Sequence, residues 1–264
     1  MHKDKLVTAT LTANYNNGKY FAECLNGILS QTIQPDIICV VDDGSTDNSY
    51  DLIWQAVDNA GGRWVSMQPK MDNSHYWMMQ SAKLGKSRVY FFPNKENKGP
   101  AAARNTGLKF LLDKADIVCV ADCDDILLPT KLEKSLNVMW KYPHVGLVYS
   151  DYITVSVDGK EAREYKEPFN YKRLTDECIV SNNSVYTTSI IKKVGLYDES
   201  LFGPEDYDMW LRISENAAVY HIPEALYKYR LTGQNITTTT PSEKFQKHVY
   251  RVKQKIAERQ YANN

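Results

Sequence analysis

Apolar residues in the first half of the chain follow two alternating patterns. Runs that are apolar throughout, such as "IICVV" at 37–41 and "IVCVA" at 117–121, are typical of strands buried on both faces of a sheet. Apolar residues three and four positions apart predict helices near 18–30, 46–58, 99–112 and 129–140. Strand and helix alternate through about residue 125, which indicates a mostly parallel, doubly wound α/β sheet.

The pattern becomes irregular after "VGLVYSDYITVS" at 145–156. It predicts a helix at 205–216, short strands near 217–230 and an amphipathic helix from about 242. We therefore interpret residues 1–240 as one domain with two unlike halves, about 1–125 and about 126–240. Residues 241–264 are predicted to form a C-terminal helical extension that packs on the domain or joins two copies. The stretch 66–80 matches no motif.

Composition narrows the class of protein. Of 264 residues, 43% are hydrophobic and 24% are charged, as in an ordinary soluble globular protein. Lys plus Arg and Asp plus Glu both number 32, so no basic field predicts a nucleic-acid partner. The five cysteines form no C-x-x-C pair, which argues against a zinc site, and their odd number fits a reducing compartment. No signal peptide or transmembrane segment is predicted, so we expect a cytoplasmic protein.

Three predicted strands end in polar or acidic turns, "LTANYNN", "VVDDGSTDNS" and "VADCDD". Ligands of open α/β sheets bind beyond the carboxyl ends of the strands, so these turns predict one binding site. Asp122 and Asp124 form a D-x-D spacing, whose carboxylates suit Mg²⁺ or Mn²⁺ bridged to a nucleotide diphosphate. Asp42 or Asp43 would accept the imide N–H of a uracil or hold ribose hydroxyls. Each acidic turn taken alone is better explained as a turn that caps the following helix than as a binding site.

Two helix starts carry unusual charges. Asp206 shares a helical face with Met209, Trp210 and Ile213, so it is either a buried cap or a functional carboxylate in a cleft. Arg104 lies near a helix N-terminus, where the helix dipole disfavours a cation. We therefore expect an anion beside Arg104, either a ligand phosphate or a carboxylate at a strand end.

Six ordered motifs, spanning about residues 5–232, resemble those of the family-2 inverting glycosyltransferases of GT-A fold. They are "TANYN", "SQTIQPDIICVVDDGSTDNS", "NKGPAAARNTGL", "VADCDDILLPTKLE", "VGLYDESLFGPEDYDMWLR" and "IPEALYKYR". The resemblance implies a Rossmann-like sheet with flanking helices and a small acceptor-side subregion. It also implies a nucleotide-sugar donor, usually a UDP-sugar, a hydroxyl acceptor in glycan or polysaccharide synthesis, and Mn²⁺ or Mg²⁺. The first half would then bind the nucleotide and the second the acceptor, in the cytoplasm or peripherally at a membrane.

The resemblance also assigns roles to individual residues. The implied donor-binding residues are Ala13, Asn14, Tyr15, Asp43, Arg104, Asp122 and Asp124. Asp124 would be the direct metal ligand, with Asp122 beside it. The pair Glu205-Asp206 would supply the general base, which we assign to Asp206, with Glu205 and Trp210 as acceptor-side candidates. Thr232 stands where many relatives carry a His that approaches the metal, so the third protein ligand is not predicted.

Other classes of protein remain open at this point. A catalytically silent nucleotide-sugar-binding module would keep Asp43 and Asp124 but lack a usable base, and Asp206 argues against it. A response-regulator receiver would be about half as long. A nucleotidyltransferase would require a more basic loop after the first strand than "TANYNNGKY" provides.

Overall fold

Residues 6–66 and 80–262 are described in the computed structural model, and eleven strands among them form one sheet. Most of the stretch 66–80, residues 67–79, lies outside these described residues. The strands are β1 (Thr8–Asn14), β2 (Ile37–Asp42), β3 (Arg63–Ser66), β4 (Gln80–Leu84), β5 (Ser87–Pro93), β6 (Ile117–Val120), β7 (Ile126–Leu127), β8 (Val145–Val155), β9 (Glu161–Glu164), β10 (Val185–Thr187) and β11 (Ala218–Arg230).

Strand order explains where parallel pairing occurs. The order is β3-β4-β5-β2-β1-β6-β10-β8-β11-β7, with β9 paired to β8. The central strands β5, β2, β1 and β6 are parallel, as is β11 with β8, whereas the other pairs are antiparallel. The α/β class is confirmed, but the sheet is mixed: parallel neighbours require a long crossover, whereas the short connection between β4 and β5 permits only a hairpin.

The predicted helices are observed within a few residues of their expected positions. The helices are α1 (Phe21–Leu29), α2 (Ser49–Asn59), α3 (Pro100–Leu111), α4 (Lys131–Lys141), α5 (Tyr171–Asp176), α6 (Thr188–Val194), α7 (Glu205–Ser214), α8 (Ile236–Thr239) and α9 (Ser242–Ala262). Three short helices among them, α5, α6 and α8, were not predicted. The short strands expected near 217–230 form one continuous strand, β11. No helix in the described part of the chain is long and apolar enough to cross a membrane.

The core consists of two apolar layers, one on each face of the sheet. Successive side chains of β2 alternate between them: Ile38 and Val40 pack on one face, Cys39 and Val41 on the other. Helix α3 lies very close to the second face at Gly107, where an added Cβ would lie 2.3 Å from Leu11 Cδ1. This close approach fixes the start of α3 near the carboxyl ends of the central strands.

The predicted C-terminal extension is observed as α9, and it packs on its own domain. Val252 and Ile256 are buried in the same apolar layer as α7. Arg259 pairs with Glu215 at 2.8 Å, and Lys255 pairs with Asp198. The inner face of α9 is therefore part of the domain; association of copies through its outer face stays a prediction, as does the functional division into halves.

Candidate active site

A cavity of about 730 Å³ opens beyond the carboxyl ends of the parallel strands. Nearly all the residues that the sequence analysis selected line it, namely Ala13, Asn14, Tyr15, Asp43, Arg104, Asp122, Asp124, Glu205 and Asp206. Trp210 does not, because it is fully buried and packs against Tyr186 at a ring distance of 6.0 Å. The expectation that Trp210 contacts an acceptor is therefore wrong.

The turn after β1 forms one rim of the cavity. Asn14 Nδ2 donates to Asp42 Oδ1 at 2.6 Å and to Ser45 Oγ at 3.2 Å, which ties the ends of β1 and β2 together. Ala13 contributes only backbone and a methyl group. Tyr15 is 43% exposed, an unusual position for a large aromatic side chain, and presents its ring at the rim.

Asp43 anchors the loop that leads into α3. Its Oδ2 accepts from the backbone N–H groups of Lys98 and Gly99 at 3.0 and 2.8 Å, and its Oδ1 accepts from Asn94 Nδ2 at 3.0 Å. Burial raises its pKa, although these hydrogen bonds act in the opposite direction. Gly44 makes the following turn with a φ of +67°, and a Cβ there would lie 2.6 Å from the Glu96 backbone.

The two acids of the D-x-D spacing have different environments. Asp122 Oδ1 accepts from Arg104 Nη2 at 2.9 Å, and its Oδ2 accepts from Asn182 Nδ2 at 3.1 Å. The Asp124 carboxylate receives no hydrogen bond from another residue in the part of the chain that the structure describes. Burial, followed by the charge of Asp122, raises the pKa of Asp124 to about 6. Asp124 is therefore the acid that is available to a cation.

Asparagines after α5 support this turn, and the sequence analysis did not select them. Asn182 Oδ1 accepts from Tyr227 Oη at 2.7 Å, which orients its amide toward Asp122. Asn183 Nδ2 donates to the buried Asp125 at 2.5 Å. Single asparagines carry no periodic signal, and the acids that they contact lie about 60 residues away in sequence, so only the fold reveals their role.

Arg104 joins the two acidic regions of the cavity. Its Nη2 pairs with Asp122 at 2.9 Å and its Nη1 with Glu205 at 2.8 Å. Burial alone would lower the pKa of Arg104, but the two carboxylates outweigh it and raise the pKa well above its ordinary value. The anion expected beside Arg104 is thus a pair of protein carboxylates.

The first turn of α7 holds the second acidic pair. Glu205 Oε2 also accepts from the Gly203 backbone N–H at 2.8 Å, and burial raises the pKa of Glu205 to about 7. Asp206 is partly exposed, and the bond it makes within the described residues is to the backbone N–H of Tyr207 at 2.7 Å. Burial raises the pKa of Asp206, whereas Arg104 lowers it. Asp206 is therefore an open carboxylate on the cavity wall.

The face of α7 that the sequence presents as polar is buried as well. Asp208 is fully buried and pairs with Arg212 at 2.8 Å, with Lys255 and Arg259 of α9 each 3.8 Å away. Cations from α9 cover this face. Helix α7 is therefore held by buried ion pairs as well as by its apolar stripe.

Whether the site can hold a metal ion depends on the oxygen atoms available in the turn after β6. Hard divalent cations prefer carboxylate oxygens, and Asp124 offers one that no described residue occupies. No group of three or more His, Cys, Asp or Glu side chains suited to a metal occurs within residues 6–66 and 80–262. Thr232 bonds Asn235 through its backbone N–H at 2.8 Å. The residues fit a cation held by Asp124 and completed by ligand oxygens, as diphosphate oxygens would do.

Comparisons with known proteins identify the family and the fold. The family model described as glycosyl transferase family 2 matches residues 10–66 and 69–195. Chondroitin synthase of Escherichia coli is 27% identical over 244 residues, which cover 88% of this chain and 31% of that protein. The chain thus spans about a third of the length of that relative.

Solved structures share the fold. S. aureus TarS (residues 1–349) in complex with UDP-GlcNAc superposes with a TM-score of 0.68 at 21% identity, covering 93% of this chain and 65% of that one. The mannosyltransferase PcManGT from Pyrobaculum calidifontis, in complex with GDP-Man and Mn²⁺, gives a TM-score of 0.61 at 16% identity, covering 89% and 59%.

Proposed function

The chain belongs to glycosyltransferase family 2 and has the GT-A fold, and on that premise we propose that it transfers a sugar from a nucleotide-sugar donor to a hydroxyl acceptor. The observation that carries the proposal is the position of two open carboxylates, Asp124 and Asp206, on one cavity. The neighbouring acid of each is paired to Arg104. The site therefore offers one carboxylate for a cation and one for a proton.

The donor that we propose is a UDP-sugar. Tyr15 lies at the rim, where its ring would stack on the base, and Asp43 lines the same part of the cavity. Asp43 Oδ2 accepts two backbone N–H groups, whereas its Oδ1 accepts one hydrogen bond from Asn94 and so keeps a lone pair for an imide N–H. The UDP-GlcNAc complex of TarS, a protein of the same fold, supports this choice.

A divalent metal, Mn²⁺ or Mg²⁺, belongs to the proposal. Asp124 would hold it, with Asp122 as its neighbour in the turn. When bound, it supplies charge neutralisation to the diphosphate and so stabilises the leaving nucleotide. Asp122 has a different task in this chain, because its pairing with Arg104 and Asn182 fixes the turn that presents Asp124.

Asp206 is proposed as the general base of a single displacement. It takes the proton of the acceptor hydroxyl while the acceptor oxygen forms a bond to the anomeric carbon. The bond from that carbon to the diphosphate oxygen breaks in the same step, so the nucleoside diphosphate leaves with the electron pair and the centre inverts. Burial raises the pKa of Asp206, which makes it a stronger base than an exposed aspartate.

Hydrolysis of the donor tests the function without knowledge of the acceptor. We expect the full chain to hydrolyse UDP-sugars slowly in the presence of Mn²⁺, and to release UDP faster than GDP or TDP from the corresponding sugars. A panel of UDP-, GDP- and TDP-sugars, with chromatographic detection of the released nucleotide, would measure this. Absence of both nucleotide binding and hydrolysis across the panel would refute the proposed function.

A further inference from the structure

A second cation lines the cavity on the wall that the C-terminal half contributes. Of the described lining residues, Arg104 and Lys166 carry positive charge. Arg104 is neutralised by two carboxylates, whereas no described carboxylate forms an ion pair with the Lys166 ammonium. Lys166 is also only partly exposed. An unpaired, partly buried ammonium in a cavity is a site for an anion from a ligand.

The position of Lys166 is fixed by its backbone. Its N–H donates to Asp151 Oδ1 at 2.9 Å, and Asp151 is buried between Arg163 Nη2 at 3.0 Å and His221 Nε2 at 2.9 Å. Burial alone would raise the pKa of Asp151, but the hydrogen bonds from Lys166, Arg163 and His221 outweigh it and lower the pKa. Asp151 is therefore an ionised anchor that holds this segment against the sheet, in the position where Lys166 lines the cavity.

Lys166 and Asp206 line the same cavity, and both belong to the C-terminal half of the chain, as do the lining residues Val180 and Ser181. The turns after β1 and β2, which would hold the nucleotide, belong to the other half of the chain. Lys166 thus lines the cavity from the same half of the chain as the proposed base, the half to which the acceptor is assigned.

The charge of the wall shows what Lys166 is suited to bind. The open carboxylates Asp124 and Asp206 repel an anion, so an acidic acceptor needs a compensating cation in the cavity, whereas a neutral acceptor does not. Resting on the proposed glycosyl transfer, we infer that Lys166 binds a phosphate or carboxylate group of the acceptor. The acceptor class is then a hydroxyl compound that carries an anionic group, and the test below distinguishes phosphate from carboxylate.

Binding to the nucleotide-loaded protein tests this inference. The probes are a glycerol phosphate oligomer, a uronate-containing oligosaccharide and a neutral oligosaccharide of the same length, titrated into the full chain with UDP and Mn²⁺. We expect one anionic probe to bind roughly tenfold more tightly than the neutral one, since a charged hydrogen bond is worth about that factor. The two anionic probes distinguish phosphate from carboxylate as the recognised group.

Three variants assign the preference to one side chain. Lys166→Gln should remove the tenfold preference, and Lys166→Arg should retain it because the charge is kept. Lys172→Gln is the matched control, since Lys172 is exposed and does not line the cavity. The preference should also weaken as salt is raised, as for other partly exposed charge pairs.

The outcomes separate this inference from the proposed function. If UDP binds but neither anionic probe is preferred over the neutral one, or if the preference survives in Lys166→Gln, the inference is wrong and the function stands. If Lys166→Gln weakens UDP binding instead, Lys166 serves the donor diphosphate and the inference is also wrong. If wild type binds no UDP at all, the proposed function itself fails.

Discussion

The turn after β6 and the first turn of α7 each place two acids on the cavity wall, Asp122 and Asp124 in the first and Glu205 and Asp206 in the second, and Arg104 lies between them. Arg104 binds the first acid of each pair, Asp122 and Glu205, and leaves the second open to the cavity. The two turns differ in the second hydrogen bond that the acid paired with Arg104 accepts. Asp122 accepts it from the side-chain amide of Asn182, whereas Glu205 accepts it from the backbone N–H of Gly203 in its own loop. Of these four carboxylates, the two that pair with Arg104 therefore hold the structure, and the two that do not are available for chemistry.

The largest effect on sugar transfer is expected for Asp124, the unpaired acid in the turn after β6. Charge stabilisation by a bound metal is worth several kcal/mol, so Asp124→Ala should reduce sugar transfer roughly a thousandfold, without rescue by added Mn²⁺. Initial rates across a Mn²⁺ titration would measure this, and EDTA should abolish wild-type transfer. Cys123→Ser is the matched control, because a hydroxyl can replace the thiol that lies 3.5 Å from the Asn17 carbonyl oxygen. Full transfer in EDTA would contradict the metal assignment.

Removal of the cation that joins the two regions should mainly affect stability. Arg104→Gln leaves two buried carboxylates without their partner, and loss of one member of a buried ion pair costs about 3–5 kcal/mol. Urea denaturation would give the change in the free energy of unfolding. Arg88→Gln, at an exposed arginine of β5, is the control and should change little. Equal stability of Arg104→Gln and wild type would show that Arg104 does not hold the two turns together.

A smaller effect is expected for recognition of the base. A hydrogen bond to a charged group contributes about 1.5–3 kcal/mol, so Asp43→Ala should weaken UDP binding about tenfold or more. CDP lacks the imide N–H, so wild type should prefer UDP over CDP and the variant should lose that preference. Calorimetry with both nucleotides would measure it, with Asp51→Ala on the exposed face of α2 as control. An unchanged UDP to CDP ratio in the variant would exclude a contact between Asp43 and the base.

The smallest predicted effect is on the pH dependence of the free energy of unfolding. The pKa of Asp124 is raised from 3.8 to about 6, so between these values the folded chain holds a proton that the unfolded chain has released. The stability of the folded chain therefore falls as pH rises from 3.8 to about 6. Asp124→Asn should remove this loss of stability, because the amide does not ionise. We expect the variant to be more stable than wild type by about 1–2 kcal/mol at pH 7 in EDTA and equal to it near pH 3.5. A stability difference independent of pH would contradict an ionised, unpaired Asp124.

Much of the fold and the positions of the site follow from sequence. The runs at 37–41 and 117–121 predict central strands because a strand buried on both faces must be apolar throughout. Since parallel strands place their carboxyl ends at one edge, Asp43, Asp122 and Asp124 can be grouped from the strand pattern alone. Local sequence thus predicts which residues meet at the cavity.

Whether each acid is paired with another residue or open to the cavity could not be predicted in the same way. Helical spacing shows that Glu205 and Asp208 share a face, but not that Arg104 and α9 cover that face. The expectation for Trp210 is wrong for the same reason, because periodicity gives the direction of a side chain relative to its helix and not the element that packs on it. The partners of Asp122 and Glu205 are distant in sequence, so only the fold distinguishes a paired acid from an open one.

The central claim is that the open acids do chemistry and the acids paired with Arg104 hold the structure. It is tested most directly by comparing Asp206→Asn with Glu205→Gln, with sugar transfer and UDP affinity measured in parallel. The first substitution keeps the shape of the open acid and removes its basicity, so transfer should fall about 10²–10⁴-fold while UDP affinity stays the same. Glu205→Gln weakens the bond to Arg104 and should lower stability more than Asp206→Asn does. Near-wild-type transfer by Asp206→Asn, or a loss of transfer explained by lost UDP binding, would contradict the account.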